Sequence, residues 1–150
     1  MRKIVVTAAL AAALAATPSF AAEKTADMEV TLNVLNNCTL TTPAALDFGT
    51  VTDVTTATAS GSATVNCTVG TPYTLAIGMG DFESGGTRRM ANAGATAFVP
   101  YNILLNGSAG NTVAVGTGLD VAQLLAGTLS PTGPVAAGSY SDMVVVSLTY

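Results

Sequence analysis

The chain of 150 residues contains no histidine and no tryptophan, and only 9% of its residues are charged. With no histidine and no cysteine to spare, the usual general bases, nucleophiles and metal ligands are largely missing. No catalytic residue, metal site or cofactor is expected. The lack of tryptophan and the 5% aromatic content argue against a stacking platform for sugars. Basic residues number five, against nine acidic ones. No basic stripe exists to hold phosphate, so neither nucleic acid nor an anionic membrane is an expected partner. A surface this poor in charge fits faces that meet other protein.

Long apolar runs are scarce as well, with one exception at the start. Arg2 and Lys3 precede an uncharged run from Ile4 to Ala16, then Pro18 and the small residues Ser19 and Ala21. This is the pattern of a secretory signal peptide over residues 1–21, cleaved between Ala21 and Ala22. The run is shorter than the ~20 residues a membrane-crossing helix needs. No second run of that length follows, so membrane insertion is not expected. Cleavage leaves Lys24, Arg88 and Arg89 against nine acids, a net charge of −6. It also puts Cys38 and Cys67 in an oxidising compartment, where one disulfide is the simplest reading. Closing that loop stabilises a fold by roughly 3.5 kcal/mol in the chain-entropy account.

What is abundant is Thr, Ser, Ala, Val and Gly. β-Branched runs alternate with Gly, Pro, Asn and Ser clusters at short intervals, the signature of an all-β sandwich or barrel. Residues 22–27 are polar. Met28, Val30, Leu32 and Val34 then alternate with Glu29, Thr31 and Asn33, a period-2 strand with one apolar face. Further strands are expected at 46–48, 57–69, 73–79, 98–105 and 113–115, with a glycine-rich turn over 78–86. Asn106-Gly107 is a strong hairpin dipeptide. Residues 119–129 read as a strand, with a single helical turn as the alternative. From 140 to 150, Asp142, Val144, Val146 and Leu148 alternate with Met143, Val145, Ser147 and Thr149.

Several stretches, in order, resemble the spore coat protein U-like domain, the domain of archaic chaperone–usher pilins. They are Cys38 followed by Leu46-Asp47-Phe48-Gly49; Val65-Asn66-Cys67-Thr68 leading to Gly70-Thr71-Pro72-Tyr73-Thr74; Arg88-Arg89-Met90 with Val99-Pro100-Tyr101-Asn102; and Gly138-Ser139-Tyr140-Ser141-Asp142 before a strand ending at Tyr150. Together they span nearly all of the chain after residue 21. Residues 107–118 depart from the family by holding only Ser, Ala, Gly, Asn, Thr and Val.

The resemblance implies an incomplete immunoglobulin-like β-sandwich over 37–150, completed by donor-strand exchange from an extension over 22–36. Its implied partners are neighbouring pilin subunits, a periplasmic chaperone that lends a strand first, and an outer-membrane usher. Met28, Val30, Leu32 and Val34 would be the inward row of the donor. Val144, Val146, Leu148 and Tyr150 would form the C-terminal strand that borders the groove and pairs with the chaperone. That the sequence stops at Tyr150 fits an edge left for another chain. Ten residues, 26–35, extend over roughly 33 Å. Four buried side chains at ~1.5–3 kcal/mol each contribute roughly 6–12 kcal/mol before entropy costs.

The pattern of 28–35 alone serves equally well as the first strand of a closed domain. Asp81 and Glu83 flank Phe82 in a glycine-rich turn and read as a solvated loop. Gly78-Met79-Gly80 lacks the strand-to-helix setting of a phosphate loop. Arg88 and Arg89 read as bridging neighbouring acids, with a carboxylate grip as the alternative. The triplets at Asn37, Asn66 and Asn106 read as incidental. The expected function is a subunit of a surface pilus. Alternatives of the same fold are a coat or matrix protein and a tip adhesin.

Overall fold

The computed structural model describes residues 21–41 and 45–150. The expected signal peptide lies outside the described residues, apart from Ala21. Contacts divide the chain into two units, residues 1–33 and 34–150. In the first, residues 21–33 form neither helix nor strand and are exposed. Met28, Val30 and Leu32 are thus not a strand of the chain's own sheets.

The second unit is all-β. Its strands are β1 (Cys38–Thr41), β2 (Thr58–Cys67), β3 (Pro72–Ile77), β4 (Arg88–Asn92), β5 (Phe98–Leu105), β6 (Thr112–Val115), β7 (Val121–Leu129), β8 (Tyr140–Ser141) and β9 (Val146–Thr149). They form a six-stranded sheet in the order β1-β2-β7-β5-β4-β8 and a three-stranded sheet in the order β6-β3-β9. Among the described residues every ladder is antiparallel.

Period-2 alternation explains the core. Ala63, Val65 and Cys67 of β2 are buried, as are Val99, Tyr101, Ile103 and Leu105 of β5. Tyr73 and Leu75 of β3 meet them from the smaller sheet, within one cluster that also takes in Leu125. Within the ambiguous segment 119–129, Val121–Leu129 is a strand. Its alternation buries Gln123 and Leu125 while Leu124 faces water. Gln123 accepts from Asn106 Nδ2 at 2.7 Å and reaches the Tyr73 hydroxyl at 3.5 Å. Buried polar side chains without partners would be destabilising; among the described residues no buried side-chain nitrogen or oxygen is left so.

Cys38 and Cys67 face each other across β1 and β2 and are joined by a disulfide, with Cα atoms 4.1 Å apart. At the far end of β5, Asn106 and Gly107 have φ of 51° and 80°. Leu105 and Ser108 exchange backbone hydrogen bonds of 2.8 and 2.9 Å around them, the tight turn that Asn-Gly favours.

Two expected strands differ. Residues 46–48 form no ladder; Asp47 accepts the Gly49 N–H at 2.7 Å and turns the chain instead. A similar turn follows at Asp53, whose carboxyl is held below its ordinary value by the Thr55 hydroxyl and N–H. The expected continuous strand 140–150 is two strands. β8 pairs with β4 in the larger sheet and β9 with β3 in the smaller one, so residues 142–145 cross between sheets. Even so, the alternation runs through the break. Residues 142, 144, 146 and 148 are half-buried and 143, 145, 147 and 149 exposed.

Candidate functional site

Six strands face three, and the mismatch in width leaves part of the larger sheet uncovered. The result is a cleft of about 1140 Å³ in the second unit. Its floor comes from β5 and β7: Val99, Tyr101, Ile103 and Leu125. One wall is the unpaired segment 45–54, led by Leu46 and Phe48, and the other is the crossing chain with Val144 and Val146. Residues 135–141 also line it. The floor residues are 2–8% exposed. Water therefore reaches mainly the rim, where Leu46, Phe48, Ile77, Met90, Leu129, Val144 and Val146 are only partly buried against the core.

Among the described residues, neither wall has a strand partner on its cleft side. β9 pairs with β3 along one edge only and ends the smaller sheet. The first wall lies where it does because β7 has a glycine beneath it. A Cβ on Gly127 would sit 2.8 Å from Leu46 Cδ2 and 2.9 Å from Phe48 Cζ. Phe48 also packs edge-on against the Tyr101 ring, centroids 6.4 Å apart.

The polar groups cluster at one place. Asp142 Oδ1 accepts the backbone N–H groups of Asp81 and Met143 at 2.9 Å and of Phe82 at 3.4 Å. Its Oδ2 accepts the Tyr101 hydroxyl at 2.6 Å. Burial, and then the hydrogen bond and negative charge of Asp142, push the Tyr101 hydroxyl above its ordinary pKa. Arg88 donates to the carbonyls of Gly78 at 2.8 Å and Ile77 at 2.9 Å. Arg89 donates to the Phe82 carbonyl at 2.9 Å and lies 4.4 Å above the Phe98 ring. These contacts give both arginines a structural task of holding backbone carbonyls, in place of the expected bridges to acids.

Of the residues singled out in the sequence, Val144 and Val146 reach the cleft. Leu148 packs against the core, and Tyr150 is exposed outside the cleft lining. Met28, Val30, Leu32 and Val34 are 65–87% exposed. Leu35 to Asn37 are anchored to the β2–β3 corner: Thr68 donates to the Leu35 carbonyl at 3.3 Å, Thr71 Oγ1 to Asn36 Oδ1 at 3.1 Å, and the Thr68 N–H to the Asn37 carbonyl at 2.9 Å. The wall at 46–54 and the Tyr101–Asp142 pair were not singled out. The only signals for them were the Leu-Asp-Phe-Gly, Val-Pro-Tyr-Asn and Tyr-Ser-Asp stretches, whose spacing says nothing of a shared cleft.

The described residues thus form a disulfide-stapled all-β sandwich with an open apolar cleft. The chain belongs to the Spore Coat Protein U domain family, whose model matches residues 24–147. Protein U of Myxococcus xanthus is 31% identical over 167 residues, covering 95% of this chain and 93% of that protein. Among solved structures, a chain of the CsuC–CsuE chaperone–tip adhesion subunit pre-assembly complex, from archaic chaperone–usher Csu pili of Acinetobacter baumannii, shares the fold. The TM-score is 0.56 at 23% identity, over 78% of this chain but only 40% of that one. Among the described residues no helix is long and apolar enough to cross a membrane.

Proposed function

We propose that the chain is an exported structural subunit of a chaperone–usher surface pilus and polymerises by donor-strand complementation. Residues 22–36 of one copy fill the cleft of the next, with Met28, Val30, Leu32 and Val34 turned inward. The observation that carries this reading is the open apolar cleft between two walls that, among the described residues, have no strand partner on the cleft side. An unfilled edge beside apolar side chains is a template for an added strand, and filling it removes both liabilities. The exposed, unpaired row at 28–34 is a segment of the right chemistry and length.

On this reading a periplasmic chaperone occupies the cleft during transit and an outer-membrane usher hands subunits on. The protein does no covalent chemistry; its work is assembly at the cell surface, in support of adhesion and biofilm. The likeness to the Csu complex, which contains a chaperone and a pilus subunit, supports the chaperone partner. The match to Protein U of Myxococcus xanthus favours a second setting for the same assembly, a spore coat or surface matrix. Genome neighbours encoding a chaperone and an usher separate the two.

The test is electron microscopy of surface filaments from cells making the Val30→Asp or Leu32→Asp protein. A carboxylate forced into an apolar cleft is strongly unfavourable, so filaments should be lost or severely shortened. Filaments of normal number and length would refute the reading.

A further inference from the structure

An apolar cleft of about 1140 Å³ facing water is under pressure to close, because apolar surfaces are driven together. A subunit that must receive a strand needs its walls held apart until the strand arrives. Resting on the acceptor reading above, we propose that Asp142 is the positioning residue that keeps the empty cleft open.

Asp142 sits where the chain passes from one sheet to the other. It is the first residue of the crossing 142–145, between β8 in one sheet and β9 in the other. Its carboxylate ties the cleft's floor and wall to a loop behind them. Tyr101 belongs to the floor, Asp81 and Phe82 to the loop after β3, and Met143 to the wall. The same crossing is fastened again three residues on, where Gly78 N–H donates to the Val145 carbonyl at 2.8 Å. Arg88 in turn holds the Gly78 and Ile77 carbonyls. Gly80 has φ +86°, and a Cβ there would collide with the Asp142 carboxylate. The loop approaches so closely only because that position is glycine.

The carboxylate already accepts four hydrogen bonds. Oδ1 takes three N–H groups and Oδ2 the phenol, which leaves little capacity for an incoming strand. Asp142 therefore acts through the position it gives to Val144 and Val146, and through the fixed Tyr101 ring, without needing contact with the guest. Preorganised sites take up ligands faster and with less ordering loss than sites that must first reopen.

The experiment uses the full mature chain carrying Val30→Asp, so that its own extension is disabled, and a synthetic peptide of residues 22–36. Peptide uptake is followed by native mass spectrometry, and melting temperatures are recorded with and without peptide. Asp142→Asn and Tyr101→Phe are compared singly and together; both keep the side-chain volume that lines the cleft. Each single change should slow uptake about tenfold or more. The double variant should be little slower than the slower single, as two halves of one hydrogen bond require. The melting temperature should fall further for the empty form than for the filled one. Uptake at the unsubstituted rate, or equal loss of melting temperature in both forms, would overturn the positioning role. Failure of the Val30→Asp chain with Asp142 and Tyr101 intact to take up peptide would instead remove the acceptor reading itself, and the positioning role with it.

Discussion

At Tyr101 a phenol is held between an apolar floor and a carboxylate, and its protonation is tied to folding. Burial and Asp142 raise its pKa above the ordinary value. A group that keeps its proton longer when folded contributes its full stability below about pH 10, the ordinary tyrosine pKa. That contribution is lost as pH climbs through the raised folded value. Urea midpoints measured between about pH 8 and pH 12 should therefore fall more steeply for the native chain than for Tyr101→Phe. Parallel curves would show that Tyr101 ionises as freely folded as unfolded. Gly127 is the second residue on which the cleft depends. Gly127→Ala brings a methyl into the space of Leu46 and Phe48, and such overpacking destabilises by roughly 1–3 kcal/mol. Gly133→Ala, at a position with open space around its Cβ, should leave the melting temperature unchanged.

Among the elements, the extension is governed by parity. In a strand, residues 28, 30, 32 and 34 share one face and 29, 31 and 33 the other. Leu32→Asp should abolish subunit joining while Thr31→Asp leaves it nearly intact, as read by the ladder of multimers on a non-boiled denaturing gel. Equal effects from both would mean that the segment does not enter a cleft as a strand. The same period-2 rule made most of the fold legible. It marks β2, β5 and the alternation of 142–149 directly, and Asn106-Gly107 announces its own turn. It failed where side chains override the ladder. Residues 46–48 alternate like a strand, yet Asp47 and Asp53 turn the backbone back on itself, so no neighbour pairs with it. Residues 140–150 alternate without interruption, yet Asp142 spends its carboxylate on a loop sixty residues earlier. No local pattern reveals so distant a contact, which is why the crossing at 142–145 was invisible in the sequence.

For the whole molecule, the imbalance of six strands against three decides what the protein can do. Cys38–Cys67 closes one end of the larger sheet, and the tight Asn-Gly turn closes another corner. The remaining side, between residues 45–54 and β9, has no such device among the described residues. On the proposed reading a second chain supplies what is missing there; the segment leading into β1 is anchored at Leu35–Asn37 on the β2–β3 corner. The low charge content also fits a surface covered by copies of itself.

Cross-linking between copies reports most directly on the claim that one copy's leading segment fills another's cleft. Chains carrying Val30→Cys with Val146→Cys, and Leu32→Cys with Val146→Cys, cover two neighbouring registers of the inserted strand. After oxidation in assembled material, at least one pair should yield a covalent ladder of dimers, trimers and longer chains. A product confined to single chains, with the new bond closed within one copy, would contradict the account.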